Sequence, residues 1–287
     1  MKRILLCTDG SASSQVSYHY VAWLAIRLAA TVDVLYVTNE QSQAASEAKD
    51  FSGAIGVDAS DTLLHKLVEL EHEKAKLNHQ RAKQILHDAQ QVISSHGVET
   101  INLIHETGSL IDRFHEFEAQ ADLITLGKRG ESAELASGHL GSNTERIIRA
   151  SHKPCLVTSD QFQPIERLLL AYDGSSSCKK MLHFLINSSA FKGLELHILT
   201  ATKSAEDKTA VAGLDSAKKQ AHTGGFEPVC HIVKGDPEVA IAQYIEAANI
   251  HLLLMGAYGH NRIRHLVIGS TTVQILRGSN IPVLLFR

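Results

Sequence analysis

Short apolar runs recur along the chain, each closed by a polar turn and followed by a stretch with the three-to-four-residue apolar spacing of a helix. The first run, Ile4 to Cys7, enters Thr8-Asp9-Gly10-Ser11, and a helical pattern follows from Ser13 to Ala29. A second run covers Val32 to Val37. The same order returns later: Leu168 to Ala171 enters Tyr172-Asp173-Gly174-Ser175, a helical pattern covers Ser176 to Ser188, and a run follows at Glu195 to Leu199. Each half then continues helix, strand, glycine turn, helix, buried strand, glycine loop, helix, strand. Alternation of this kind predicts parallel, doubly wound sheets. The expected fold class is α/β, with two tandem doubly wound domains, each a mostly parallel five-stranded sheet flanked by helices.

The repeat can be followed residue by residue. Ile4 to Ser11 matches Leu168 to Ser175 at an offset of 164, Gly108-Ser109 matches Gly235-Asp236 at 127, and Gly127 matches Gly256 at 129. Pro154 before Cys155-Leu156-Val157 matches Pro282 before Val283-Leu284-Leu285 at 128. One order of landmarks given twice means one domain plan used twice. The predicted domains are residues 1–158 and 165–287, joined by a linker from Thr158 to Gln163 that ends at Pro164. The fall in offset from 164 to 128 places an insertion in the first half, between its second and third strands, at about residues 40–77. Glu40 to Ser60 is rich in Gln, Ser, Ala and Gly without a clear period, which predicts a mobile loop or lobe. A helix is predicted from Asp61 to Ser94. On it His65, His72 and His79 recur every seven residues, which puts them along one stripe but about 10 Å apart. Ligands of one metal on a helix sit three or four residues apart, so the stripe reads as solvated or partner-facing, or else as ligands of a metal shared with another chain.

Two glycine clusters carry the candidate chemistry. In the second half Gly256-Ala257-Tyr258-Gly259 is followed after nine residues by Gly269-Ser270-Thr271; in the first, Gly127-Lys128-Arg129-Gly130 is followed after ten by Gly141-Ser142-Asn143. The first glycine of each follows an apolar run, Leu252 to Met255 or Leu123 to Leu126, so each loop leaves the end of a buried strand, and the second part opens a helix. Glycines let backbone approach a ligand closely, and the unpaired N–H groups of a helix start attract anions. A nucleotide phosphate fits that combination. In doubly wound sheets ligands bind beyond the carboxyl ends of the strands, where strand order reverses, and Asp9 and Asp173 fall on that same edge. The bland alternatives are tight-turn glycines, and Asx-turn or capping roles for Asp9 and Asp173. Lys128 and Arg129 read as solvent-facing charges or as cations beside a phosphate.

This arrangement resembles the universal stress protein family in its tandem form, over essentially the whole chain. Nucleotide-binding members of that family carry G-x2-G-x9-G-[S/T], which the second half keeps as Gly256, Gly259, Gly269 and Ser270. The resemblance implies ATP, with or without Mg²⁺, its phosphates on those residues and on Thr271. It further implies that Asp173 contacts the nucleoside and that the backbone near Ile198 packs against adenine. In the first half the matching set is Asp9, Gly127, Gly130, Gly141 and Ser142, with one extra loop residue and Asn143 where a hydroxyl residue is expected. The family pairs its domains through the last strand, which here would join Cys155-Leu156-Val157 to Val283-Leu284-Leu285 within one chain as a pseudo-dimer, with further homo-oligomerisation open.

Composition narrows the alternatives. A net charge of -3 from 28 basic and 31 acidic residues gives no electrostatic case for nucleic acid or an anionic membrane. No apolar segment approaches the roughly 18 residues of a membrane helix, and Thr8-Asp9-Gly10 ends the first apolar run too early for a signal peptide. Cys7, Cys155, Cys178 and Cys230 have no CxxC spacing, which predicts reduced thiols and a cytoplasmic setting. No Walker lysine, GxGxxG motif or catalytic base is evident, His260 and His139 reading as exposed loop histidines, so the leading expectation is a sensing or regulatory ATP-binding protein. The alternatives are a slow ATP hydrolase and a nucleotide-free scaffold that binds an acyl ligand, a metal or a protein.

Overall fold

Two pairs of adjacent buried strands, the first and fourth of each half, organise the molecule. A computed structural model describes residues 2–39, 57–130, 140–202, 207–257 and 269–287. In the first half the elements are β1 (Arg3–Cys7), α1 (Ala12–Leu28), β2 (Thr31–Thr38), α2 (Val57–Ser95), β3 (Ile101–Thr107), α3 (Leu110–Glu118), β4 (Leu123–Gly127), α4 (Ser142–Ala150) and β5 (Cys155–Thr158). In the second they are β6 (Arg167–Ala171), α5 (Ser176–Asn187), β7 (Glu195–Thr202), α6 (Lys208–Thr223), β8 (Val229–Lys234), α7 (Pro237–Ala247), β9 (Leu252–Gly256), α8 (Ser270–Gly278) and β10 (Val283–Phe286), with a 3₁₀ turn at Ser189–Phe191. The strands form one ten-stranded sheet in the order β3-β2-β1-β4-β5-β10-β9-β6-β7-β8. Every neighbouring pair is parallel except β5 with β10. Five strands thus come from each half. The expected α/β class with two doubly wound halves holds, and the two sheets are continuous.

The Asp-Gly-Ser turns fold alike for local reasons. Gly10 has φ 79° and Gly174 has φ 76°, a left-handed backbone that favours glycine. The preceding aspartate closes an Asx turn in each case: Ser11 N–H donates to Asp9 Oδ1 (3.0 Å) and Ser175 N–H to Asp173 Oδ1 (2.8 Å). Each serine then caps the helix it starts, Ser11 accepting from Ser14 N–H and Ser175 from Cys178 N–H. The turn motif therefore reverses the chain and begins a helix in one step.

The insertion helix is longer than predicted, beginning at Val57, four residues before Asp61. Its carboxyl part buries Ala82, Leu86, Ala89 and Ile93 over β2 and β3, whereas none of residues 65–81 is itself buried. The lobe expected at residues 40–60 lies outside the described residues up to 56. Cys7, Cys155 and Cys178 are buried free thiols, and burial pushes Cys155 up to about 12, so these cysteines behave as small apolar side chains.

At the junction β5 and β10 pair in register, Leu156 opposite Leu284, Cys155 opposite Leu285 and Val157 opposite Val283. The linker is held beside it: Tyr20 Oη lies 2.9 Å from Ser159 Oγ and accepts from Gln163 N–H, and Phe162 packs on the Tyr20 ring at 4.8 Å. Lys128, read from sequence as a solvent-facing or phosphate-facing cation, is instead buried across this junction. Its Nζ donates to the carbonyls of Arg277 and Ser279, both at 2.8 Å, at the end of α8. Burial lowers the Lys128 ammonium pKa. Arg287 does the converse, donating to the carbonyl of Ser151 at the end of α4 (3.0 Å). A cation from each half thus occupies the negative end of a helix in the other.

Lys128→Met keeps the apolar stem and removes both donations. It is expected to lower the unfolding free energy by about 1–3 kcal/mol, read as a lower urea midpoint at unchanged slope; an unchanged midpoint would show that these bonds contribute nothing.

Candidate functional site

The carboxyl edge of the sheet gathers the predicted residues because β1 and β4 are adjacent and parallel, as are β6 and β9. Asp9 leaves β1 beside the end of β4, and Asp173 leaves β6 beside the end of β9. In the first half three of the predicted residues come together. A methyl group placed on Gly130 would lie 2.8 Å from Asp9 Oδ2, and one on Gly141 would lie 2.9 Å from Gly130 N. Gly127 is constrained differently: an added Cβ would meet the Ser13 carbonyl and Ser14 N at 2.9 Å, so packing of α1 on β4 alone demands glycine there. Asp9 Oδ1 accepts from Ser11 N–H and from Ser14 Oγ (2.6 Å). Ser142, the first residue of α4, is exposed. Arg129 N–H donates to Ser13 Oγ (3.1 Å), its guanidinium lies 3.5 Å from Asp160, and its buried Nε has no hydrogen-bond partner among the described residues.

The second half repeats the plan with more room. A Cβ on Gly256 would meet Ser177 Cβ at 3.3 Å and Cys178 Sγ at 3.6 Å, against the 2.9 Å backbone clash at Gly127. Cys178 stands where the first half has Ser14. Gly269 N–H donates to the Ala257 carbonyl (3.5 Å), as Gly141 N–H does to Lys128 (3.1 Å), which brings the end of the fourth strand to the start of the last helix in both halves. Both helices start on these glycines without a side-chain cap, so first-turn N–H groups of α4 and α8 face the edge. Ser270 and Asp173 are exposed and Thr271 is half-buried. Ile198 is placed otherwise than expected. β7 continues to Thr202, so Ile198 sits mid-strand with its side chain fully buried, and Thr200 to Thr202 occupy the strand end. Gly259 and His260, with Tyr258, lie outside the described residues, as does His139.

Sequence reasoning passed over the hydroxyls that tie each helix to its strand. Thr144 Oγ1 donates to the Gly127 carbonyl (2.9 Å) and Thr272 Oγ1 to the Ala257 carbonyl (3.1 Å). Both are buried, and they are related by the repeat offset of 128. That offset was the available signal.

Of the histidine stripe, His65 and His72 are exposed, and His79 meets His105 at a ring separation of 5.6 Å. Among the described residues no group of three His, Cys, Asp or Glu side chains is arranged to hold a metal ion. His105 also lies 2.9 Å from Thr38 Oγ1, and its pKa is lowered by burial first and by His79 second. His19 behaves similarly, lowered by burial and by His96, whose Nε2 is 2.9 Å from its Nδ1. A histidine held below its unfolded value binds fewer protons when folded. Its contribution is therefore intact above the unfolded pKa of about 6.5 and is lost as pH falls through the lower folded value. Stability is expected to fall on acidification below that point, and His79→Asn should raise the His105 pKa in an NMR titration; an unmoved His105 would show that the two rings do not interact.

Comparison with known proteins agrees with this architecture. The model of the universal stress protein family matches residues 1–159 and again residues 164–287. A universal stress protein of Synechocystis sp. is 52% identical over 287 residues, covering 100% of both chains. Among solved structures, a universal stress protein from Archaeoglobus fulgidus covers 99% of this chain and 97% of its own at TM-score 0.69 and 23% identity. One from Pseudomonas aeruginosa described as a putative universal stress protein covers 99% and 92% at TM-score 0.63 and 16% identity. At those identities the two structures speak for the fold alone. No described helix is long and apolar enough to cross a membrane. Two matches to one family model, together with a full-length relative at 52% identity, show that this chain belongs to the universal stress protein family in tandem form.

Proposed function

We propose that the second half binds ATP at the carboxyl edge between β6 and β9, and that the chain acts as a nucleotide-responsive regulatory protein of the cytoplasm. The observation that carries this is the pairing of a complete G-x2-G-x9-G-S spacing with an uncapped helix start. Gly256 ends β9, Gly269 and Ser270 open α8, and Gly269 N–H reaches the residue after Gly256. First-turn amides of α8 would take the phosphates, with Ser270 and Thr271 donating hydroxyls and Gly259 giving close backbone approach. Asp173, exposed at the end of the neighbouring strand, would accept from the ribose, and the end of β7 near Thr202 would flank the base. Mg²⁺ would be carried by the phosphates. The two domains, residues 1–158 and 165–287, act as an intrachain pseudo-dimer through β5 and β10, which puts the two candidate sites on one continuous sheet.

The first half is read as a weaker or vacant counterpart. Asp9 is bonded to Ser11 and Ser14, and Gly130 closes against both Asp9 and Gly141, which narrows the approach that a phosphate would use.

Released adenine nucleotide, counted by chromatography with mass detection after denaturing fresh protein, is expected at about one per chain at saturation with Mg²⁺. Gly269→Val is expected to reduce it to background. Gly269 has φ -60° and ψ 146°, open to any residue, so the loss would report a clash with phosphate rather than backbone strain. Unchanged affinity in that variant would displace the site, two nucleotides per chain would make the first half competent, and none in the wild-type chain would overturn the reading in favour of a scaffold.

A further inference from the structure

Because β5 and β10 are antiparallel while the strands within each half are parallel, the carboxyl ends of the first-half strands lie at the sheet edge where the second-half strands begin. The last helix of each half runs back against its own strands. α8 therefore starts at the second-half nucleotide edge and ends, nine residues or about 13 Å further on, at the first-half glycine edge. Both of its ends are held. At the start, Gly269 N–H (3.5 Å) and Thr272 Oγ1 (3.1 Å) donate to the Ala257 carbonyl, and Ala257 N–H donates to the Phe286 carbonyl (2.8 Å). At the end, the Lys128 ammonium donates to the carbonyls of Arg277 and Ser279.

Lys128 belongs to the first-half glycine loop. Its own carbonyl accepts from Gly141 N–H (3.1 Å), where α4 starts, and the next residue, Arg129, donates its N–H to Ser13 Oγ. The main chain of one residue is thus tied to the first-half candidate site, and its buried side chain to the far end of the second-half phosphate helix. The repeat places Ala257 at the equivalent position, so this hold acts in one direction: the loop with the extra residue grips the helix of the half that keeps the intact spacing. A helix of two and a half turns moves as a unit, so the seat of its last turn sets where its first-turn amides lie, and amides already in place bind an anion with less ordering cost. We propose that Lys128 is a positioning residue for the second-half nucleotide site, and that the first-half glycine loop and the bound nucleotide are coupled through α8. The inference rests on the reading that the second half binds ATP. Its two states are Lys128 seated on the end of α8 and Lys128 withdrawn from it. Nucleotide favours the seated state, and by reciprocity the seated state favours nucleotide. Displacing the first-half loop then lowers affinity at the opposite edge.

Calorimetric titration of ATP with Mg²⁺ into the full chain tests this, with Lys128→Met compared against Arg27→Met. Arg27 also donates across the halves, to the Ala190 and Lys192 carbonyls, but on the other face of the sheet from α8. Lys128→Met is expected to weaken ATP binding about fivefold or more at unchanged stoichiometry, and Arg27→Met to keep wild-type affinity while lowering the urea midpoint. The reciprocal effect is read on the wild-type chain, so it does not depend on a variant folding. Acetylation of Lys128 by acetic anhydride, followed by mass spectrometry against the exposed Lys219, is expected to slow several-fold in saturating ATP, and to be insensitive to ATP in Gly269→Val. Wild-type binding with unchanged affinity in Lys128→Met, equal weakening by Arg27→Met, or an acetylation rate indifferent to ATP would each overturn the coupling and leave the nucleotide site standing. A wild-type chain that takes up no ATP would overturn both.

Discussion

The antiparallel pairing of β5 with β10 is the contact on which the rest of the molecule depends. Each half alone would end in a strand edge with free N–H and C=O groups, an arrangement prone to indiscriminate pairing. Here each edge satisfies the other, and the register decides more than hydrogen bonding. With Leu156 opposite Leu284, both point to one face of the sheet, where they join a core running from Ile4 and Leu6 through Leu123 to Leu168, Leu252 and Leu254. Cys155, Val157, Val283 and Leu285 point to the other face and join a second core with Leu5, Ile124, Leu169 and Leu253. A slip of one residue would exchange the two faces. The pairing thus makes two half-sheets into one sheet with a continuous core on each side.

Polar contacts follow from that geometry. Lys128 leaves the end of β4 close enough to the junction to reach the last carbonyls of α8, and Arg287 follows β10 to the end of α4. Removing an ammonium from water is costly, and two carbonyls at a helix end offset that cost because the helix dipole is negative there. On the α1 side, Arg27 Nε donates to the Ala190 carbonyl and Ser189 Oγ donates back to the Arg27 carbonyl. The first-half glycine loop is consequently part of the joint between halves, whereas the second-half loop carries Ala257 at the position of Lys128. One repeat has been committed to holding the molecule together, and the other keeps the unmodified spacing.

The glycines show why a motif and a packing requirement are hard to separate. Gly127 is needed by the Ser13 and Ser14 backbone whatever binds nearby, and Gly10 and Gly174 are needed by a left-handed turn. Gly269 has an ordinary backbone conformation, so the left-handed-turn reason does not apply to it. The aspartates combine both roles, closing the turn that starts the helix while lying beside the glycine edge.

Local and repeating features were determined by the sequence. Apolar runs of four to eight residues located the strands, the doubled Asp-Gly-Ser turn located the start of each half, and the matched prolines before Cys155 and Val283 located the strands that meet, because these depend on neighbours in the chain and on a plan used twice. Tertiary structure decided what depends on distant partners. Lys128 looks like a surface charge until α8 is brought against it, Ile198 looks like a strand end until β8 extends β7 to Thr202, and Thr144 and Thr272 look like ordinary helix residues until their strand-end carbonyls arrive. The long helix was legible from its composition, but which of its faces packs and which projects was fixed only when β2 and β3 took up Ala82 to Ile93 and left Leu67 to Leu77 outside. Burial is a property of the assembled layers, and a linear pattern carries only the local half of it.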